Sequence, residues 1–97
     1  MAVYTSGRWK VFPGHEGAFI EAWNDFASKT KGDFPETTAT LLRDRDDPTR
    51  FVSLGLWASL NQVEQWRASE TFKTGVAAMR PLLAEFSAHT LDVAASA

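Results

Sequence analysis

The sequence predicts an α+β fold: one antiparallel sheet of four strands with helices packed on one face. Three observations carry this. Its periodic segments run strand, helix, strand, strand, helix, strand; the strand-like segments are short and rich in β-branched and aromatic residues; and turn chemistry separates them. The first strand is expected from Ala2 to Phe12, with Val3, Thr5, Gly7, Trp9 and Val11 on one face and Tyr4, Ser6, Arg8 and Lys10 on the other. Pro13 and Gly14 end it. Ala18, Phe19, Ala22, Trp23, Phe26 and Ala27 then recur at helical spacing, with Glu16 in the first turn where the helix dipole favours an acid, so helix one is placed from about His15 to Lys29. Thr30 to Glu36, with Gly32 and Pro35, reads as a loop. The second strand spans Thr37 to Arg45, the charged run from Asp44 to Arg50 has hairpin-tip composition, and Phe51 to Trp57 forms a largely buried third strand.

Ser59 and Gln62 have the spacing of a capping box, so the second helical region starts at Ser59. It carries Leu60, Val63 and Trp66, then Phe72, Val76, Met79 and Leu83, and Pro81 breaks its regularity, so the region is expected to be segmented. Phe86 to Val93 is the fourth strand, alternating His89, Leu91 and Val93 against Ala88, Thr90 and Asp92, and Ala94 to Ala97 form a frayed tail. This order is the ferredoxin-like split βαβ arrangement, βαββαβ. One helical layer leaves the other sheet face uncovered, and pairing of two such faces in a homodimer is the expected solution.

Composition narrows the function classes. The 97 residues fit one domain, 1–97, with a thin core. Ten Lys plus Arg against 12 Asp plus Glu, scattered along the chain, argue against nucleic acid. The lack of Cys removes disulfides, thiolate nucleophiles, iron–sulfur clusters and cysteine-ligated zinc, and a reducing cytoplasm fits best. No signal peptide or membrane span is read, and no membrane partner is expected. No metal-ligand spacing, phosphate-binding glycine loop or nucleophile elbow occurs, so no metal and no nucleotide cofactor are expected.

Four tryptophans in so short a chain are the unusual feature. Gly7 shares a strand face with Trp9, and Ser53 and Gly55 share one with Trp57. Glycine within a strand marks close approach to the backbone, so a gap is expected there, walled by Trp9, Trp57, Trp66, Phe72 and Met79, with indole N–H groups for a ligand oxygen. Trp23 reads as structural. His15 opens helix one and His89 lies on strand four; each is more simply structural, with His89 or His15 the available proton acceptor.

The segments from Gly7 to Gly14, Leu41 to Asp44 and Phe51 to Ser59, with Trp66 followed by Phe72, resemble the antibiotic biosynthesis monooxygenase family over roughly Ala2 to Val93. The resemblance implies a dimeric α/β barrel of ferredoxin-like subunits. In its polyketide-tailoring oxygenases an Asn and a Trp of strand three and a Tyr of the next helix are implicated; here those positions hold Ser53, Trp57 and Val63. Its haem-degrading branch uses a strand-one Asn, a helical Trp and a His ten residues later; here Gly7, Trp66 and Val76 stand there, so the axial ligand is missing. The resemblance therefore implies a cofactor-free monooxygenase of a quinol, anthrone or polyketide-like aromatic. Trp57, Trp66, Ser53 and His89 would act on the substrate; Gly7, Trp9, Gly55, Phe72, Val76 and Met79 would bind it. The alternatives are a non-catalytic small-molecule-binding or stress-related dimer and, behind it, a haem-binding protein.

Overall fold

The computed structural model describes residues 2–97; Met1, within the single domain expected over 1–97, lies outside the described residues. The elements run β1 (Val3–Val11), α1 (Glu16–Asp33), β2 (Thr38–Arg43), β3 (Arg50–Trp57), α2 (Leu60–Ala68), α3 (Glu70–Met79), a 3-10 turn (Arg80–Leu82) and β4 (Leu83–Asp92). The sheet has the order β2-β3-β1-β4, and every neighbouring pair is antiparallel. This is the expected βαββαβ arrangement. One face of the sheet carries the helices and the core.

Several boundaries differ from the expectation. α1 runs one turn further than Lys29, through Gly32 to Asp33, where Phe34 N–H closes on the Thr30 carbonyl at 2.8 Å. Tertiary contact holds that turn, because the buried Thr30 is a partner of Trp66 on α2. β2 stops at Arg43, since Asp44 turns the chain by accepting the Asp46 N–H on its own carboxylate at 2.8 Å. The second helical region is segmented, though at Ser69 rather than at Pro81. Ser69 Oγ accepts from Phe72 N–H at 3.2 Å and donates to the Trp66 carbonyl at 2.6 Å, so one hydroxyl starts α3 and ends α2. Ser59 caps α2 as expected, accepting from Gln62 N–H at 3.2 Å. Pro81 sits in the 3-10 turn, which leads directly into β4 three residues before the predicted start at Phe86.

Alternation along the strands builds the core. Trp9, Val11, Phe19, Trp23, Phe26, Phe51 and Met79 form its larger cluster, and Val3, Trp57 and Val63 a smaller one. Gly75 of α3 lies against the Phe26 ring, where any Cβ would collide, so a missing side chain sets the α1–α3 distance. The opposite sheet face is uncovered: Leu56 and Leu91 flank Tyr4 in register and are 36% and 44% exposed. Among the described residues no helix is long and apolar enough to cross a membrane.

Candidate functional site

The register lays the residues of the helix-covered sheet face in rows. Two central rows are made mostly of small residues: Ala39, Gly55, Thr5 and Thr90 stand side by side across the four strands, and beside them Leu41, Ser53, Gly7 and Ala88, of which only Leu41 is large. Aromatic rows bound them, with Phe51, Trp9 and Phe86 on one side and Trp57 on the other. The result is a trough in the sheet, roofed by α1, α2 and α3.

The indoles lie in that trough. Trp9 Nε1 donates to Ser53 Oγ at 3.0 Å, and Trp57 Nε1 donates to Thr5 Oγ1 at 3.0 Å. A Cβ on Gly7 would stand 2.7 Å from both Trp9 Nε1 and Ser53 Oγ; one on Gly55 would stand 2.7 Å from Thr5 Oγ1 and 3.1 Å from Trp57 Nε1. Each glycine thus leaves room for an indole two residues along its own strand, which reaches over it to the hydroxyl directly opposite. The two units, Trp9 with Gly7 and Ser53 and Trp57 with Gly55 and Thr5, are related by the local two-fold of an antiparallel pair. A third indole follows the same chemistry from the roof, with Trp66 Nε1 donating to Thr30 Oγ1 at 3.0 Å. Trp57 and Trp66 are 4.8 Å apart between ring centroids, and Trp9 stacks on Phe86 at 4.4 Å.

What remains open is a cavity of about 60 Å³. Its walls include Gly7, Trp9, Ser53, Gly55, Trp57, Trp66, Phe72 and Val76 from the predicted set, together with Thr5, Trp23, Thr30, Phe86 and Arg67. It is small against the ~300–1,000 Å³ of drug-sized pockets, so a multi-ring ligand requires side chains of α2 and α3 to move.

Three expectations change. The glycines do not leave an empty gap, because the indoles fold back over them, and the indole N–H groups are already paired with protein hydroxyls. Met79 is fully enclosed in the core and is not among the cavity walls. His89 stands opposite Ser6, on the uncovered sheet face, with Nε2 3.3 Å from Ser87 Oγ, because alternation along β4 turns it away from the face that carries Ala88 and Thr90. His15 is exposed at the start of α1. Trp23, read as structural, also touches the cavity. Thr5 and Thr30 were not singled out. A hydroxyl opposite a strand glycine is the signal for Thr5, but it exists only once the register is known.

Among the described residues, no carboxylate or imidazole lines the cavity, and Arg67 is its one charged residue. Among the described residues no group of three or more His, Asp or Glu could hold a metal. Among the described residues, the candidate haem donors lie elsewhere: both histidines are outside, Met79 is sealed in, and Tyr4 is on the other sheet face. These residues do not fit an axial haem ligand.

A family model of antibiotic biosynthesis monooxygenases matches residues 2–78. No curated protein sequence matches this chain significantly. Among solved structures, a mutant of SnoaB, a cofactor-independent oxygenase from Streptomyces nogalater, is similar with a TM-score of 0.86 at 21% identity, over 98% of this chain and 95% of that chain. A provisionally assigned antibiotic biosynthesis monooxygenase from Caulobacter crescentus CB15 gives 0.86 at 25% identity, over 97% and 91%. Rv0793 from Mycobacterium tuberculosis gives 0.83 at 16% identity, over 100% and 99%.

Proposed function

The chain belongs to the antibiotic biosynthesis monooxygenase family, and from that premise we propose that its tryptophan-walled cavity carries out cofactor-independent oxygenation of a small aromatic substrate. In an anthrone-type substrate a ring methylene loses a proton to give an enolate. The enolate supplies the electrons to dioxygen; one oxygen atom becomes the ring carbonyl and the other leaves as water with the two hydrogens. No external reductant is needed.

The observation that carries the reading is the trio of hydroxyl–indole pairs. Ser53, Thr5 and Thr30 each accept from an indole, and among the described residues none of the three donates elsewhere. Their O–H groups are therefore free to donate to a developing oxyanion between the aromatic walls. In this reading Trp57 and Trp66 act as walls and Ser53 as a hydroxyl donor, with Trp9, Phe72 and Val76 holding the ring. His89 drops out as the proton acceptor, because it faces away.

The test is oxygen consumption with anthrone and dihydroxyaromatic substrates. The wild type is expected to exceed the Trp57→Phe, Trp66→Phe double variant by about tenfold or more, the loss expected when positioning and electrostatic groups are removed. Equal rates would overturn the reading. A non-catalytic binder of small aromatics is the second reading, favoured by the cavity's lack of any acid or base; ligand binding without turnover would establish it. For either, the uncovered sheet face is the proposed homodimer interface.

A further inference from the structure

We propose that the site takes its ligand as an anion, a flat aromatic bearing an oxyanion that Arg67 neutralises; this rests on the small-aromatic reading above and adds the charge of the ligand to it. Arg67 is partly buried on α2 and lines an otherwise uncharged cavity. Its guanidinium is fixed by two hydrogen bonds, from Nη1 to Thr90 Oγ1 at 2.6 Å and from Nη2 to the His89 carbonyl at 3.2 Å. Both partners are neutral. Among the described residues no carboxylate lies within ion-pair distance of it.

The Arg67 side chain lines the apolar cavity while its guanidinium sits at the exposed mouth, bonded only to neutral groups, so it presents a positive charge that an entering anion can meet. The hydroxyls point the same way. Ser53, Thr5 and Thr30 have each given a lone pair to an indole and retain an O–H to donate, so the available polar groups favour acceptor oxygens. The absence of a wall base completes the argument. With no imidazole or carboxylate to remove a proton, a substrate that reacts as an enolate or phenolate is best bound already ionised. Lys31, the other cation nearby, lines the neighbouring groove and gives its ammonium to the Thr37 carbonyl at 2.7 Å.

Three single-ring probes carry the charge contrast while asking the least movement of the α2 and α3 side chains: 4-nitrobenzoate, its neutral counterpart 4-nitrobenzyl alcohol, and 4-nitrophenol followed across its ionisation near neutral pH. Binding is read by quenching of tryptophan fluorescence under argon, so oxygen chemistry plays no part. The wild type is expected to bind the carboxylate about tenfold tighter than the alcohol, the size of one charge-assisted contact. Nitrophenol affinity is expected to rise as it ionises. In Arg67→Gln both preferences should vanish, and Arg67→Lys should keep part of them. A thermal melt of each variant separates loss of folding from loss of recognition; if Arg67→Gln does not fold, Arg67→Lys decides by its intermediate value. Equal binding of acid and alcohol by the wild type, including no measurable binding of either, overturns the proposal, as does a preference that survives in Arg67→Gln. A protein that binds the anions through Arg67 yet consumes no oxygen sinks the oxygenase reading and leaves this one standing.

Discussion

Gly7 and Gly55 are occupied space seen from the other side. Each lacks a side chain because an indole and its hydroxyl partner sit where the Cβ would go. Gly7→Ala is therefore expected to push Trp9 off Ser53, costing about 1–3 kcal/mol through overpacking and a strained or broken hydrogen bond. Chemical denaturation gives the stability, and a changed tryptophan emission reports the displaced ring; unchanged stability and emission would show that the trough has slack. The sequence made the glycine and tryptophan pairing legible, since Gly7 with Trp9 and Gly55 with Trp57 fall on shared strand faces by simple alternation. It could not show which way the indoles fold. Rotamer choice depends on Ser53 and Thr5, which reach those glycines only through the β1–β3 register, so a filled trough read as a gap. Thr30 was missed for a related reason: Gly32 and Pro35 argue locally for a loop, and the bond from Trp66 that holds the last helical turn comes from 36 residues away.

At the scale of elements, one carboxylate ties the β2–β3 hairpin tip to β1. Asp47 accepts from Lys10 Nζ at 2.6 Å and from Thr49 Oγ1 at 2.7 Å, with Thr49 N–H at 3.1 Å and Arg50 Nε at 3.8 Å. The Lys10 hydrogen bond first, then those of Thr49, hold its carboxyl well below the ordinary aspartate value. The unfolded chain then takes up this proton at higher pH than the folded one. The resulting stability is present at neutral pH and is lost as pH falls through and below that ordinary value. Thermal melts on acidification should show a shallower acid limb in Asp47→Asn than in the wild type. Added salt should narrow the difference, because the pair is partly exposed. An acid limb unchanged by the substitution would mean that Lys10 is equally well placed in the unfolded chain. The run from Asp44 to Arg50 was readable as a hairpin tip from composition alone. Its link to Lys10 on β1 was not, because it crosses from the hairpin tip to a strand 37 residues earlier in sequence.

For the whole molecule, the uncovered face of the sheet is the proposed interface between two copies. Leu56 and Leu91 stand on either side of Tyr4, while the far end of the same face is polar, with Arg8, Lys10, Arg50 and Glu85 near one another. The paired Leu56→Glu, Leu91→Glu variant is expected to shift the mass in solution from dimer to monomer by sedimentation or light scattering; a monomeric wild type would remove the proposed interface. The sheet order also constrains how the chain is made. β1 is a central strand, yet its partner on one side is β4, and Val3 meets Asp92 only after some ninety residues of sequence have been ordered, a loop closure of about 4 kcal/mol in chain entropy. During synthesis one hydrogen-bonding edge of β1 therefore stays open until β4 leaves the ribosome, with β2 and β3 free to pair locally long before. The trough, whose rows span all four strands, is the last part of the protein to exist. A nascent or truncated chain without β4 exposes a tryptophan-bearing strand edge, and that edge is where misassembly would begin.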